Sequence, residues 1–152
     1  MKQFITGTLF GAAVMMAVGT GIAPKAVLKE TVSPLGYEET LAHIQNNVTN
    51  AGWKVSALMR LDKSLAKEGK SVLPAASLKI CQPDYAEKIL LSDKARFVSV
   101  MMPCSIAVYE KTDGKTYIST MNTALMGHLF GGTVRRVMSG PVARETAEFV
   151  KF

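Results

Sequence analysis

Twenty consecutive uncharged residues, Phe4 to Ala23, stand directly behind Met1, Lys2 and Gln3. A helix of that length reaches across the hydrocarbon core of a bilayer. The stretch is only moderately apolar, with Gly7, Gly11, Gly19 and Gly21 inside it. It therefore reads either as a secretory signal peptide or as an uncleaved transmembrane anchor, with a buried core helix as a third option. The cleavage signal is weak: Pro24 would follow a cut after Ala23, whereas a cut after Gly19 has Ala17 suitably placed. Lys2 favours an amino terminus on the cytoplasmic side, and Lys25 and Lys29 beyond the segment weaken that preference. Gly7-x-x-x-Gly11 permits close helix pairing in lipid, so a homodimer is one option. Residues 1–24 are thus expected to be a signal peptide or membrane anchor, and 25–152 a single domain. The expected place is the cell envelope: periplasmic or otherwise extracytoplasmic, and held at the inner membrane if the segment is retained.

What remains after that segment is near the usual single-domain size. The composition, 48% hydrophobic and 20% charged, belongs to a globular chain rather than a disordered one. The net charge of +6 is dispersed, and the longest basic run is Arg135-Arg136. Nucleic-acid binders concentrate charge in patches with interleaved aromatics, so no nucleic-acid partner is expected.

Periodicity outlines the domain. Ala26 to Val32 reads as a first strand, and Ser33-Pro34-Leu35-Gly36 as a turn. Tyr37, Leu41, Ile44, Val48 and Ala51 form one stripe of a helix that stops at Gly52. Trp53, Val55, Ala57, Met59 and Leu61 alternate as a strand would. Asp62 to Gly69 reads as a short helix and Ser77 to Cys81 as a strand. Pro83 opens a helix that turns Ala86, Ile89 and Leu90 inward. Phe97 to Met102 reads as an apolar strand, followed by strands Cys104–Glu110 and Tyr117–Met121 around Asp113-Gly114. Asn122 caps a helix to Phe130, Gly131-Gly132 breaks it, and Gly140-Pro141 precedes a last helix reaching Phe152. The expected fold is α+β: a mixed or antiparallel sheet, helices packed mainly on one face, and the apolar amino-terminal helix in front.

Two motifs carry a resemblance. Ile80-Cys81-Gln82-Pro83 is followed by Met102-Pro103-Cys104-Ser105-Ile106-Ala107-Val108-Tyr109-Glu110. Together they resemble the domain of unknown function family 302, with its Cys-Asn-Pro turn before a helix and its Leu-Pro-Cys-Asn strand running into Val-Tyr-Glu. Gln82, Met102 and Ser105 depart from that pattern, and Glu38-Glu39-Thr40 is similar to the family's opening helix. The resemblance spans Val27 to Val150. It implies a small α+β fold without an assigned reaction, and it transfers no catalytic residue.

The candidate chemistry is soft. Cys81 and Cys104 read as structural thiols, as a disulfide, or as a redox, metal or ligand pair. A disulfide here would close a loop of about 24 residues and stabilise by roughly 3 kcal/mol. Cys81 precedes a helix start, where a thiolate is favoured. Met101, Met102, Met121 and Met126 lie near Cys104 and His128 in sequence. A two-residue turn at Asp113-Gly114 would pair Glu110 with Tyr117 and Ile106 with Met121. Met121 would then share a sheet face with Cys104. Cys104, Met121 and His128 form a candidate metal set, since thioether, thiol and imidazole suit copper(I) or a haem iron. The competing reading of those methionines is core filling. His43 lies opposite its helix's apolar stripe and should face solvent, whereas His128 can stand at a pocket rim. Gly131 and Gly132, before Thr133 and Arg135-Arg136, offer backbone amides to an acidic group; a plain helix stop and restart explains them equally. Asn47-Val48-Thr49 is a sequon inside a helix.

Three functions follow: a non-enzymatic envelope module binding a small ligand, haem or metal; a thiol-dependent redox enzyme using Cys81 or Cys104; and a membrane-anchored interaction or assembly protein. The ligand-binding set is Cys81, Cys104, Met121, Met126, His128, Gly131 and Gly132.

Overall fold

The computed structural model describes residues 23–152. The expected apolar helix and its signal or anchor role therefore lie outside the described residues. A short helix, α1 (Ala23–Val27), leads into β1 (Leu28–Val32). Helix α2 (Tyr37–Asn50) starts where the Gly36 amide donates to the Glu39 carboxylate at 3.3 Å. It buries Tyr37, Leu41, Ile44 and Val48, the expected stripe, together with Thr40. Thr40 is tied to the Ser33 hydroxyl at 2.6 Å. Ala51 falls outside the stripe as an exposed cap residue, and Gly52, at φ +77°, turns the chain so that the Trp53 amide bonds the Val48 carbonyl.

Strand β2 (Lys54–Arg60) is followed by α3 (Leu61–Lys67), β3 (Ala75–Cys81) and α4 (Pro83–Leu90). A bulge between Val55 and Ala57 leaves Ser56 unpaired, and the strand changes face there. Val55 opposes Ile80, and beyond the bulge Leu58 opposes Leu78, while Ala57 and Met59 oppose Lys79 and Ser77 on the other face. The even alternation expected from Val55 to Met59 is thereby interrupted.

The apolar run at Phe97 is not a strand. Residues Arg96–Met101 form a 3-10 helix, which buries Val98 and leaves Phe97 and Val100 outside. In that geometry residues three apart are stacked, so Phe97 and Val100 share one face. A cis Met102–Pro103 peptide then leads into β4 (Cys104–Glu110).

The hairpin to β5 (Thr116–Met121) closes with a Lys111 amide bond to the Lys115 carbonyl, leaving Thr112, Asp113 and Gly114 as a three-residue loop. Gly114 takes the left-handed position such a loop requires, at φ +74°. The expected two-residue turn is therefore wrong by one residue of register. Glu110 opposes Thr116, and Ile106 opposes Thr120 rather than Met121.

Helices α5 (Thr123–Phe130) and α6 (Gly132–Val137) follow, then a wide turn at Met138–Val142 and helix α7 (Ala143–Phe149). The sheet order is β1-β5-β4-β3-β2, and every pairing is antiparallel. The fold is α+β as expected, with no mixed sheet among the described strands. Ala76, Leu78, Ile80, Ile106, Val108 and Ile118 line the covered face. They meet Leu41, Ile44 and Val48 of α2, and Val134, Val137, Val142 and Phe149 from the carboxy-terminal helices. The opposite face carries Lys79, Ser105, Tyr109, Tyr117 and Ser119, each half-buried.

Candidate functional site

The two cysteines sit at one end of the sheet. Cys81 closes β3 and Cys104 opens β4, and the pairing of Ile80 with Cys104 makes them diagonal neighbours. Both are free thiols and both are half-buried, so of the three readings left open by the sequence the disulfide is not the one formed here. They line one cavity of about 40 Å³. α4 and the 3-10 helix roof it with Tyr85, Ile89, Val98 and Met101, and Met102 and Met138 also face it. A water molecule needs roughly 10–15 Å³ measured this way, so the space suits a single ion or very few small atoms. Ligand pockets for drug-sized molecules run to about 300 Å³ or more, which places haem well beyond this cavity.

Burial pushes the Cys104 thiol above its ordinary range, and the nearby Cys81 adds to the shift. An unliganded Cys104 is therefore a neutral thiol, a poor nucleophile but a group that can surrender its proton to a soft cation.

Behind Cys104 lies a gap of about 10 Å³ bordered by Met121, Thr120 and Thr146. Cys104 and Met121 are thus brought together, and Met121, at the end of β5, packs partly buried against the core even though strict alternation from Ile118 would turn it to the other face. Met126 packs partly buried against the core. His128 stands on the exposed side of α5 and lines neither cavity that Cys104 borders. Its Nδ1 lies 2.7 Å from the Ala124 carbonyl and 3.1 Å from Ser139 Oγ. Gly131 and Gly132 take positive φ angles of +67° and +51° at the corner between α5 and α6. The Gly131 amide is already used by the Gly127 carbonyl at 3.0 Å, which fits a helix stop rather than an anion cradle. His43 is half-buried, stacked on Phe152 at 4.5 Å and bonded to the Lys151 carbonyl at 2.7 Å, rather than facing open solvent. Among the described residues no group of three or more His, Cys, Asp or Glu could hold a metal ion.

Sequence reasoning missed three contributors. Trp53 and Tyr85 line the cavity wall, and the Glu145 carboxylate binds both from behind. Tyr85 Oη donates to one oxygen and Trp53 Nε1 to the other, each at 2.6 Å. That carboxylate bond raises the Tyr85 hydroxyl pKa. Trp53 is the sole tryptophan of the chain, a residue seldom buried without a partner for its N–H. That was the available signal; the 92-residue separation from Glu145 hid the partner.

The fold and its site define a class of small α+β domains: one antiparallel sheet, helices over one face, and a thiol-lined cavity where two central strands end. The chain belongs to the family described as "Domain of unknown function DUF302", whose profile matches residues 29–149. It is similar in fold to the crystal structure of an uncharacterized conserved DUF302 protein from Bacillus stearothermophilus. The TM-score is 0.70 at 18% identity, over 82% of this chain and 95% of that one. No curated protein matches the chain.

Proposed function

We propose that this protein is a non-enzymatic cell-envelope module that holds one soft metal ion, copper(I) foremost, between Cys81 and Cys104. The observation that carries the reading is the convergence of both thiols on one apolar cavity of about 40 Å³ whose wall also includes Met101, Met102 and Met138. Thiolate and thioether sulfur select copper(I) over hard cations. Copper(I) cancels one of the two thiolate charges, so the loaded site carries a single net negative charge, which an apolar cavity tolerates far better than two bare thiolates. The envelope setting rests on the uncharged run Phe4 to Ala23. The earlier candidate set of Cys104, Met121 and His128 is replaced by Cys81 and Cys104, because His128 borders neither cavity next to Cys104. A thiol enzyme is the weaker reading, since burial keeps Cys104 protonated.

The test is an anaerobic titration of the reduced full chain with copper(I) against a chromophoric copper(I) chelator. One equivalent should be withdrawn from the chelator by the wild type and by His128→Ala, and none by Cys81→Ser or Cys104→Ser. Copper retained by the double serine variant, or none withdrawn by the wild type, would end this reading. Affinity should rise with pH, because each bound thiolate must first lose its proton.

A further inference from the structure

The covered face of the sheet changes character at its β1 end. Elsewhere that face is apolar, with Leu78, Ile80, Ile106 and Val108 buried on it. On β1 and β5 it carries Lys29, Thr31 and Thr120 instead. Period two puts Lys29 and Thr31 on one side of β1. Their partners across the ladder are Thr120 and the buried Ile118, which makes that side the covered one. Glu30, between them, turns to the opposite face, where Tyr109 and Lys111 occupy its carboxylate. Among the described residues Lys29 has no carboxylate partner.

Helices α5 and α7 meet this end of the sheet at a cleft of about 110 Å³. Lys29, Thr31, Thr120, Thr123 and Thr146 line it, and no acidic side chain does. Thr146 donates to the Val142 carbonyl at 2.7 Å and belongs to the fold. Thr123 differs. It is only 5% exposed, yet its hydroxyl borders the cleft and has no hydrogen-bond partner among the described residues. An unpaired hydroxyl in the interior costs its desolvation, so a fold alone would favour valine there. Thr123 also opens the eight-residue helix α5, whose Asn122 cap takes the Leu125 amide. The amides of Thr123 and Ala124 remain at the positive end of the helix dipole. The rest of the wall includes Ala143, Ala147 and Val150, which are apolar.

We propose that this cleft binds a small monocarboxylate with a short apolar tail. The carboxylate meets the Lys29 ammonium and accepts from the Thr120 and Thr123 hydroxyls, beside the amino terminus of α5. The tail lies along Ala143, Ala147 and Val150. One lining cation without a lining acid matches a single negative charge better than a doubly charged phosphate, and the apolar wall gives the tail its place. At about 10–15 Å³ for each water-sized position, the cleft has room for an acid of about four carbons. Neither cysteine lines it, so this site and the copper site can each fail its test while the other passes.

The experiment titrates butyrate into the full chain and follows the backbone amide resonances of residues 123 and 124. Saturable shifts are expected with butyrate and none with neutral butanol at the same concentrations. Thr123→Val keeps the shape of the side chain and removes only the hydroxyl. It should weaken binding by about tenfold or more, the scale of one hydrogen bond to a charged group. Its thermal midpoint should be unchanged or higher, because no bond within the protein is lost. Lys29→Met, at an exposed position of β1, should weaken binding similarly, and Cys81→Ser should leave it unchanged. Equal butyrate affinity in the wild type, Thr123→Val and Lys29→Met would overturn the proposal. So would displacement of butyrate by an equal concentration of inorganic phosphate, which would make the cleft an anion site indifferent to the tail.

Discussion

Trp53 Nε1 donates to Glu145 at 2.6 Å across a separation of 92 residues, fastening the strand that follows α2 to the last helix. Glu145 holds Tyr85 equally closely with its other oxygen. Hydrogen bonds to a charged group contribute about 1.5–3 kcal/mol each, and an indole N–H left alone in the interior costs its desolvation. Glu145→Ala should therefore lower stability by at least about 2 kcal/mol. Glu145→Gln keeps one acceptor oxygen and should fall between that variant and wild type. Urea unfolding followed by Trp53 emission measures both, and equal stability of Glu145→Ala and wild type would contradict the argument.

Helix α5 and the Met138–Val142 turn approach closely at Gly127. A β-carbon built there would lie 2.3 Å from Ser139 Oγ and 2.8 Å from the Ser139 backbone nitrogen. Alanine gains up to about 1 kcal/mol in helix propensity, but overpacking costs about 1–3 kcal/mol. Because one obstacle is backbone, the clash should win. Gly127→Ala is expected to lower the midpoint of thermal unfolding, and adding Ser139→Ala should recover part of the loss, since it removes only the hydroxyl obstacle. Additive losses in the double variant would show that the two positions do not meet.

The same contrast between local and distant information explains what the sequence makes legible. The Tyr37–Leu41–Ile44–Val48 stripe, the Gln82–Pro83 start of α4 and the Asn122 cap of α5 are written within a few residues, and the structure contains each. Phe97 to Met102 is as apolar as a strand, and only its packing shows that period three, not two, is in use. The hairpin register hangs on one loop residue, although Met121 still reaches Cys104 at the end of β5. Cys81 and Cys104 stand out by residue type alone, but their shared cavity depends on the β3–β4 pairing of Ile80 with Cys104. Glu145 has no local mark at all, because its role is set by two aromatic partners that are far away in sequence.

Asn122 joins the first and second halves of the chain. Its amide and its side-chain nitrogen bond the Val27 and Ala26 carbonyls, while its Oδ1 accepts the Leu125 amide at 3.3 Å. Losing the cap costs about 1–2 kcal/mol. Asn122→Asp keeps the cap and removes only the donor to Ala26. Trypsin cleavage after the exposed Lys25 should accelerate in both variants, because α1 is released, whereas global stability should fall mainly in Asn122→Ala. Unchanged cleavage in Asn122→Asp would show that the Ala26 bond does not hold α1 in place.

Tyr109 supplies a pH signature. It stacks on Tyr117, its direct partner across β4 and β5, with ring centres 6.1 Å apart. Its hydroxyl donates to Glu30 of β1, whose other oxygen takes Lys111 at 2.8 Å. Burial first, and the Glu30 carboxylate second, push the Tyr109 pKa from 10.0 up to about 12. A raised phenol pKa means that the unfolded chain gives up this proton before the folded one does. The stabilisation is therefore fully present below pH 10, where both states keep the proton, and is lost as pH climbs from 10.0 through about 12. Tyr109→Phe should flatten that alkaline decline while leaving the neutral-pH slope unchanged. Glu30→Gln should bring the Tyr109 transition to lower pH in a phenolate absorbance titration, but only partway, because burial is the larger cause. A Tyr109→Phe chain with the wild-type alkaline decline would assign the effect to other tyrosines and remove Tyr109 from the account.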